Sequence, residues 1–298
     1  MASVAERAPA KERFVVHTLS GYKIEGVSVG GQETCVILPQ LKVAFDSGRC
    51  PQRCVYADTL CLSHTHMDHA AGAGFYIATR ALVSLPPPTI LLPASRADAF
   101  ETFIASLRAL DGSDLPHVPV PVAPGGEHRV SKRHLIRAFS TTHPVPSQGY
   151  VVYSTKEKLL PEHAGKHGSE IKALREAGTR VTATVEVPEV AFTGDTAADW
   201  IDRAADGSDA VAADALRAKL LICECTFVDD RCTPEDARAY GHTHVDELVE
   251  RAAAFENESI LLIHFSARYK ADEIDAALAE RLPPGLRERV TPLLVGFG

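Results

Sequence analysis

The segment at residues 63–69 reads Ser-His-Thr-His-Met-Asp-His, and it constrains this chain more than any other feature. It follows a short apolar run that is typical of a buried β-strand. In an extended chain residues i and i+2 point to the same side, so His64 and His66 can bind one metal ion. Asp68 and His69 lie where the chain turns and can face a neighbouring ion. Imidazole and carboxylate ligands suit Zn²⁺ or a similar divalent cation, and we favour a metal site over an ordinary polar loop.

Three further polar residues, His143, Asp195 and His264, stand directly after apolar or strand-like runs. Ligands at strand ends can converge on one edge of a sheet, where the strands hold them rigidly. Taken singly, each of these residues is more often a hydrogen-bonded polar residue than a ligand. Together with the cluster at residues 63–69 they complete a set of seven candidate ligands.

The pattern of elements along the chain predicts an α/β protein. Short strand-like runs dominate the first 75 residues, a mixed region and more strands follow, and strands alternate with helices towards the C-terminus. No repeat or low-complexity linker interrupts this order, so we expect a single domain over residues 1–298. Residues 154–184 carry six Lys and Arg with little strand pattern, which predicts an inserted arm.

Composition excludes several classes of protein. The 298 residues carry 31 Lys and Arg against 39 Asp and Glu, a net charge of −8, which argues against nucleic-acid binding through a broad basic surface. No apolar run approaches the roughly 18 residues of a membrane span, and the N-terminal segment lacks the apolar core of a secretory signal. Seven cysteines, an odd number, favour buried thiols in a reducing compartment. We therefore expect a cytoplasmic protein without a membrane partner, leaving nuclear or organellar locations open.

The spacing of these motifs resembles the metallo-β-lactamase superfamily and, within it, the ribonuclease Z family of tRNA 3′-end endonucleases, in the short form found in plants. The likeness runs from Gly21 to the C-terminus and is most specific at residues 147–156 and 264–269. It implies a metallo-β-lactamase fold, an αββα four-layer sandwich of two mixed sheets with outer helices. It also implies that the chain removes the 3′ trailer from precursor tRNA, cutting after the discriminator nucleotide and leaving a 3′-OH.

The resemblance implies two Zn²⁺ ions per subunit. It assigns the seven candidate ligands to two centres with one bridging carboxylate: His64, His66 and His143 to the first, Asp68, His69 and His264 to the second, and Asp195 to both. Two adjacent ions lower the pKa of a shared water and clamp an in-line phosphoryl displacement. Asp68 would also orient the nucleophile.

Glu224 and His242 resemble the family's pair for protonating the leaving 3′-oxygen. A carboxylate beside an imidazole raises the pKa of the imidazole, so that it can carry a proton near neutrality. A salt-bridged surface histidine is the alternative interpretation. His244 is expected to face solvent, and Asp46 is either a hydrogen-bond partner of a ligand histidine or a turn residue.

Substrate contacts are also implied by the likeness, at Ser147, Gln148, Lys166, Lys172, Arg175, Arg268 and Tyr269. For Arg268 and Tyr269 plain packing is the alternative. The arm near residues 154–184 would grip the tRNA body, although the Gly-Pro-rich version of this arm is absent and a solvated charged helix is the alternative. Residues 151–181 carry six Lys and Arg and four Glu, a local charge of +2, so the acidic total does not exclude a tRNA substrate. The family is further expected to form a homodimer.

Two other functions compete with this interpretation. A small-molecule hydrolase of the same superfamily, a thioesterase or a lactonase, would share the cluster at residues 63–69. It would not combine this cluster with Glu224, His242 and the motif at residues 264–269. A non-catalytic binding protein on the same fold would typically lose metal ligands, and here all seven are present.

Overall fold

Two seven-stranded β-sheets face each other and carry helices on their outer surfaces, and the computed structural model describes residues 16–297. The first sheet comprises, in spatial order, β1 (His17–Leu19), β2 (Tyr22–Val29), β3 (Glu33–Leu38), β4 (Val43–Phe45), β5 (Thr59–Cys61), β6 (Thr89–Pro93) and β7 (Val118–Val122). The second comprises β8 (Glu127–Arg129), β9 (His134–Ser140), β10 (Gln148–Leu159), β11 (Thr182–Phe192), β12 (Leu220–Glu224), β13 (Ser259–Ile263) and β14 (Val290–Pro292). Each sheet combines antiparallel and parallel pairs, which confirms the predicted sandwich of two mixed sheets.

The described helices are α1 (Met67–Ala70), α2 (Ala73–Leu82), α3 (Ala97–Asp111), α4 (Gly168–Glu176), α5 (Asp199–Ala205), α6 (Ala210–Arg217), α7 (Pro234–Ala239), α8 (Val245–Glu250), α9 (Ala271–Arg281) and α10 (Pro284–Arg287). Local signals set several of their ends. The carboxylate of Asp209 accepts hydrogen bonds from the first amides of α6, and Gly112 ends α3 in a left-handed conformation with a φ of 74°. No helix within residues 16–297 is long and apolar enough to cross a bilayer.

Three apolar layers hold the sandwich together. The inner faces of the sheets pack on each other, and the rings of Phe45 and Phe192 stack across this interface with their centroids 4.7 Å apart. Residues of α2 and α3 cover the outer face of the first sheet. Trp200 and residues of α6, α8 and α9 cover the outer face of the second. All seven cysteines are buried with free thiols, and the segment in which we predict no secretory signal lies outside the described residues.

Several strands end at the same edge of the sandwich, because β4 and β5 run parallel and β9, β11, β12 and β13 point in one direction. Polar residues follow these strands: Asp46 after β4, His64 after β5, His143 after β9, Asp195 after β11, Glu224 at the end of β12, and His264 after β13. The sheet topology therefore brings residues from six distant stretches of sequence to one place.

The sequence predicts little strand structure in residues 154–184, and this expectation is wrong at both ends of the segment. β10 continues to Leu159 and pairs with the start of β11, with Lys156 opposite Val185. An exposed two-stranded ribbon buries neither face, so its sequence lacks the apolar alternation that marks a strand, and its backbone hydrogen bonds form regardless. The arm is thus a β-ribbon that carries α4 at its tip.

A buried carboxylate anchors the base of this arm. Glu189 is 3 % exposed and lies where the register between β10 and β11 shifts. It accepts hydrogen bonds from Lys156 at 3.1 Å and from Tyr22 of the first sheet at 3.1 Å, and it pairs with Lys219 at 2.7 Å. Burial alone would raise the pKa of Glu189, but hydrogen bonds from Lys219, Ser154 and Lys156 lower it to about 2. The ribbon is therefore tied to both sheets at its root.

Candidate metal centre and active site

Three imidazole nitrogens converge in a first cluster. The Nδ1 atom of His66 lies 3.1 Å from the Nε2 atom of His64 and 3.1 Å from the Nε2 atom of His143. His64 is fully buried, whereas the other two rings are partly exposed at the rim. Three nitrogen donors that face one point are the arrangement in which proteins bind Zn²⁺.

A carboxylate and two imidazoles form a second cluster beside the first. The Nε2 atoms of His69 and His264 are 3.3 Å apart. The Oδ2 atom of Asp68 lies 3.5 Å from the first of these nitrogens and 3.7 Å from the second. Asp68 is 16 % exposed and therefore borders the solvent side of the site. Its Oδ2 atom also accepts a hydrogen bond from the amide of Gly31 at 3.0 Å.

Asp195 lies between the two clusters. Its Oδ2 atom is 3.8 Å from Nε2 of His64, 3.2 Å from that of His69 and 3.3 Å from that of His264. Its Oδ1 atom is buried and has no hydrogen-bond partner among residues 16–297. An unpartnered buried carboxylate oxygen among converging imidazoles fits a site that binds cations. The fold thus brings all seven sequence-predicted ligands together.

Hydrogen bonds on the far side of the rings turn the free nitrogens inward. Nδ1 of His69 lies 2.8 Å from the Asp46 carboxylate, and Nδ1 of His143 lies 2.8 Å from the carbonyl oxygen of Gly241. Both partners accept hydrogen bonds, so each Nδ1 donates, and in the neutral form of each ring Nε2 has its lone pair available for a metal ion. Asp46 is therefore a hydrogen-bond partner of a ligand histidine, which is the first of the two predicted alternatives.

Ser63 extends the same arrangement to His64. Its hydroxyl donates to Oδ2 of Asp46 at 2.8 Å and therefore accepts from Nδ1 of His64 at 3.0 Å. One buried carboxylate thus orients a ligand in each cluster. Ser63 was missed in the sequence because a serine carries no ligand signal of its own.

The protonation preferences of the rings differ between the clusters. Burial lowers the pKa of His64 and of His143, which favours the neutral ring that metal binding requires. Burial also lowers the pKa of His69, but the carboxylates of Asp195 and Asp46 outweigh it and hold that pKa well above its usual value. A cation entering the second cluster therefore displaces a proton, and its binding weakens as the pH falls.

Two site residues adopt backbone conformations that side chains rarely take. Asp46 has a φ of 56° and His264 a φ of 63°, both in the left-handed region. Such positions cost about 1–3 kcal/mol each and persist where the surroundings enforce them. The amide of His264 donates to the Ser28 hydroxyl at 3.0 Å, and the Asp46 side chain accepts three hydrogen bonds from Ser63 and His69. Two of the seven non-glycine residues with positive φ among residues 16–297 thus lie where strands end at the cluster.

A carboxylate–imidazole pair adjoins the clusters. Glu224 is fully buried, and its Oε1 atom accepts from Nδ1 of His242 at 3.0 Å and from the amide of Thr196 at 2.8 Å. The amides of Thr226 and Thr243 donate to Oε2, each at 3.2 Å. The carboxylate is therefore fixed by several donors, and Nε2 of His242 makes no hydrogen bond within residues 16–297.

Two opposing effects set the charge of His242. Burial lowers its pKa, but attraction to the Glu224 carboxylate and their hydrogen bond outweigh burial and raise it to about 9. The ring of His242 stacks on that of His264 with centroids 5.3 Å apart. A cation held by His264 would repel the imidazolium, so that the pKa falls from about 9 towards neutrality. The pair is arranged to carry and release a proton beside the clusters.

The structure corrects three sequence-based expectations near the site. His244 is 1 % exposed instead of facing solvent, because its Nδ1 atom accepts from the first turn of α8 and its Nε2 atom donates to the carbonyl oxygen of Asp229. Gln148 is 1 % exposed and donates to the Tyr150 hydroxyl at 2.8 Å, so it braces β10 instead of lining the cleft. Tyr269 is 5 % exposed, and a guanidinium covers its ring, so no face is free for a base.

The other predicted substrate contacts lie at the surface. Ser147 is half-buried at the start of β10, and Arg268 is exposed beside the ring of Phe227, which in turn contacts His242. Three of the six basic residues of the arm are predicted to contact tRNA, and these three, Lys166, Lys172 and Arg175, are exposed. They lie on or just before α4, remote in the sheet from the metal cluster.

Known proteins place these features in context. The chain is 49 % identical to tRNase Z TRZ1 of Arabidopsis thaliana over 279 residues, covering 94 % of this chain and 97 % of that protein. It is 40 % identical to the chloroplastic tRNase Z TRZ2 of the same plant, covering 94 % and 77 %. No family model matches the chain. Among solved structures, the metallo-β-lactamase fold protein YhfI from Bacillus subtilis superposes with a TM-score of 0.59 at 17 % identity, covering 91 % of this chain and 95 % of that one.

The structural likeness, at its low identity, concerns the fold alone. The sequence likeness extends over almost the whole of both chains and includes every region that supplies the clusters and the Glu224–His242 pair. With the sandwich architecture and this site, the chain belongs to the ribonuclease Z (tRNase Z) family of metallo-β-lactamase fold proteins.

Proposed function

We propose that this chain is a zinc-dependent endoribonuclease that removes the 3′ trailer from precursor tRNA. It cuts after the discriminator nucleotide and leaves a 3′-OH on the tRNA. One observation carries the proposal: the buried Glu224–His242 pair adjoins a seven-ligand cluster, with the His242 ring centroid 5.2 Å from that of His143. A cation cluster with an adjacent proton donor suits hydrolysis of a phosphodiester that has a poor leaving group.

The metal ions are part of this proposal. The donor set fits two Zn²⁺ ions, held by the seven residues with Asp195 shared between the two clusters. Bound there, the ions would supply Lewis acidity that activates water and neutralises the phosphodiester. The chain's contribution is to orient the candidate ligands through Asp46 and to keep His64, His69, Asp195 and His264 buried.

Asp68 orients the attacking water. Its Oδ2 atom faces the second cluster and is held by the Gly31 amide. Its Oδ1 atom makes no hydrogen bond within residues 16–297 and is available to accept one from a water molecule. Burial alone would raise the pKa of Asp68, but hydrogen bonds with His264 and His69 hold it well below its usual value, so the carboxylate stays ionised and orients the nucleophile by accepting a hydrogen bond from it.

His242 supplies the proton for the leaving 3′-oxygen. Its Nδ1 proton is fixed on Glu224, so Nε2 is the atom that donates towards the cleft. The negative charge of Glu224 stabilises the imidazolium before the transfer. After the transfer the neutral ring stays in the same orientation, because Glu224 is fixed by the surrounding amides.

A cleavage assay with mapped ends tests the proposal. The purified chain is incubated with a tRNA that carries a 3′ trailer, before and after chelation and again after zinc is restored. We expect one product whose end lies directly after the discriminator nucleotide, no product after chelation, and recovery with zinc. Cleavage at another position, or cleavage that continues after chelation, would contradict the proposed function. Parallel assays with a thioester and a lactone test the small-molecule alternative. Turnover of either compound without cleavage of the tRNA would favour that alternative.

We propose that the ribbon arm grips the tRNA body. Lys166 and Arg175 are exposed at its tip, and Lys172 pairs only with an exposed glutamate 3.8 Å away. Because exposed ion pairs of this kind are weak, the side chains can exchange their partners for phosphates at little cost. The domain arrangement that we propose is thus one sandwich domain with a tRNA-binding arm.

Neutralising the arm should weaken tRNA binding. With Lys166, Lys172 and Arg175 all replaced by Gln, we expect a lower affinity and a salt dependence whose logarithmic slope is smaller by about 2–3, because fewer counterions are displaced. Binding is measured by filter retention across a salt series. The matched control replaces Lys23, Lys42 and Arg217, which are exposed on the sandwich, and should change neither quantity. Equal behaviour of the two triple variants would contradict the assignment.

We also propose a homodimer in which the arm of one subunit serves the site of the other. β10 begins beside the metal cluster at Gln148 and runs away from it, so the arm leaves the opposite end of the sheet. The 12 residues of β10 span about 40 Å at the usual rise per residue. An arm that points away from its own cluster suits a substrate held across two subunits.

Mixing two chains with different defects tests the dimer. One carries the neutralised arm and is assayed at a tRNA concentration too low for its weakened binding, and the other carries Asp195→Ala, which removes a candidate ligand. We expect the mixture to regain cleavage that neither chain has alone, because a hybrid pairs an intact arm with an intact site. A mixture that stays inactive, with sedimentation at monomer mass, would contradict the proposal. The cytoplasmic location stays a prediction, since one relative is named chloroplastic.

A further inference from the structure

We propose that Thr226 is a positioning residue shared by the two halves of the site. Its hydroxyl orients His264, a candidate ligand of the second cluster, and at the same time fixes Glu224, the partner of the proton donor. The effect on the Glu224–His242 pair rests on the proposed function. The effect on metal binding through His264 rests on the hydrogen bonds of Thr226 alone.

The direction of each hydrogen bond follows from the donors available. Oγ1 of Thr226 lies 2.7 Å from Oε2 of Glu224 and 3.0 Å from Nδ1 of His264. A hydroxyl has one proton, and an ionised carboxylate can only accept, so the proton goes to Glu224. The hydroxyl oxygen then accepts from Nδ1–H of His264. This leaves the lone pair of the His264 Nε2 atom directed at the second cluster, 3.3 Å from Nε2 of His69.

Burial prevents water from replacing this hydroxyl. Thr226 is 5 % exposed, Glu224 is fully buried and His264 is 2 % exposed. The backbone of Thr226 is also fixed, because its amide donates to Glu224 and its carbonyl oxygen accepts from Ser266 at 2.9 Å. The hydroxyl is therefore held between its two partners from both sides. A buried polar group that loses its partner here is left unsatisfied.

The first cluster contains the same arrangement with different residues. There the Ser63 hydroxyl donates to Asp46 and accepts from Nδ1 of His64. The difference lies in the carboxylate. Within residues 16–297 the Asp46 carboxylate accepts hydrogen bonds from Ser63 and His69, whereas Glu224 also accepts one from His242. The Thr226 hydroxyl thus contacts both a candidate metal ligand, His264, and the carboxylate that holds the proton donor, and it positions the two relative to each other.

The inference predicts a selective defect in Thr226→Val, which replaces the hydroxyl with a methyl group of similar size. We expect the affinity for one of two Zn²⁺ ions to fall by about 10–100-fold, the usual effect of removing a partner of a ligand histidine. We also expect kcat at saturating zinc to fall while KM for precursor tRNA is unchanged, because Glu224 has lost a donor and no substrate contact has changed. Thr226→Ser, which keeps the hydroxyl, should recover most of both properties.

The experiment combines competitive zinc titration against a chromophoric chelator with steady-state cleavage. Thr59→Val is the matched control, since Thr59 is 6 % exposed in β5 and its hydroxyl makes no hydrogen bond within the described chain. This control should leave zinc affinity and kcat unchanged. It measures the effect of the same substitution on packing alone.

Three results would overturn the inference. One is Thr226→Val with normal affinity for both ions. Another is an equal loss of both ions with a lower Tm that Thr226→Ser does not recover, which indicates a general packing role. The third is weakened zinc binding with normal kcat at saturating zinc, because the hydroxyl would then serve only the ligand. If the unsubstituted chain does not cleave precursor tRNA, the proposed function fails separately, and the two-site titration still decides whether Thr226 orients His264.

Discussion

Asp195→Ala is expected to abolish cleavage of precursor tRNA and to remove at least one bound ion from each chain. Among the described residues, Asp195 is the carboxylate whose oxygen lies within 3.8 Å of ligand nitrogens from both clusters. Its loss removes a ligand and also the negative charge that offsets two buried cations. The rate should fall by more than the roughly 10²–10³-fold that follows loss of a single transition-state donor.

Zinc per chain is measured by atomic emission after gel filtration, and cleavage by single-turnover kinetics with mapped ends. Asp202→Ala is the control, because Asp202 is an exposed carboxylate paired with Arg251 on the surface, where such pairs contribute little. It should keep two ions and the parent rate. Full metal content together with full activity in Asp195→Ala would show that the clusters are not the catalytic centre.

His242→Ala is expected to lower turnover by about 10²–10⁴-fold while the zinc content stays constant, because general acid catalysis contributes on that scale. His242 contacts the ligand rings through its face and makes its hydrogen bond to Glu224, so its removal frees no ligand nitrogen. The measurement is single-turnover cleavage with zinc content determined on the same samples. Loss of zinc, or an unchanged rate, would contradict the assigned role.

The pH profile sharpens this test. His242 acts in its protonated form, so activity is lost as the pH rises through its pKa. Glu224 raises that pKa to about 9, and the bound cations lower it, so the alkaline limb of the parent should lie at or below about pH 9. Glu224→Gln keeps the shape and removes the charge, which should move this limb to lower pH. The limb should be absent from His242→Ala, whereas His128→Ala, at a strand remote from the site, should retain it.

Helix and strand positions could be predicted closely where the local pattern is strong. The amphipathic run at residues 97–110 becomes α3, because its periodic apolar positions have a sheet face to cover and Gly112 ends it. The arm could not be predicted in the same way. Lys156 and Leu159 are strand residues only because Val185 and Thr182 lie opposite them, and no local pattern reports such pairing.

The roles of some side chains could be predicted from the sequence, and those of others could not. The candidate ligand set could be predicted from the sequence, because imidazoles and carboxylates clustered after strands are uncommon without a metal site. Gln148 and Tyr269 are residue types that often contact substrates, yet both are buried. Gln148 donates to the Tyr150 hydroxyl, and the Tyr269 hydroxyl donates to Asp229, which is 40 residues away in the sequence. Thr226 has no such signal, because a threonine hydroxyl gains a role only from what lies beside it.

The sequence by itself determined the residue types of this protein's site: which candidate metal ligands are present, which fold class the elements form, and that Glu224 and His242 can form a carboxylate–imidazole pair. The tertiary structure decided the geometry. Strand ends from both sheets meet at the site. They bring the Oδ2 atom of Asp195 to 3.8 Å from Nε2 of His64 and to 3.3 Å from Nε2 of His264. Residue type is a local property, whereas hydrogen-bond partners, burial and pKa depend on segments that meet only when the two sheets pack together.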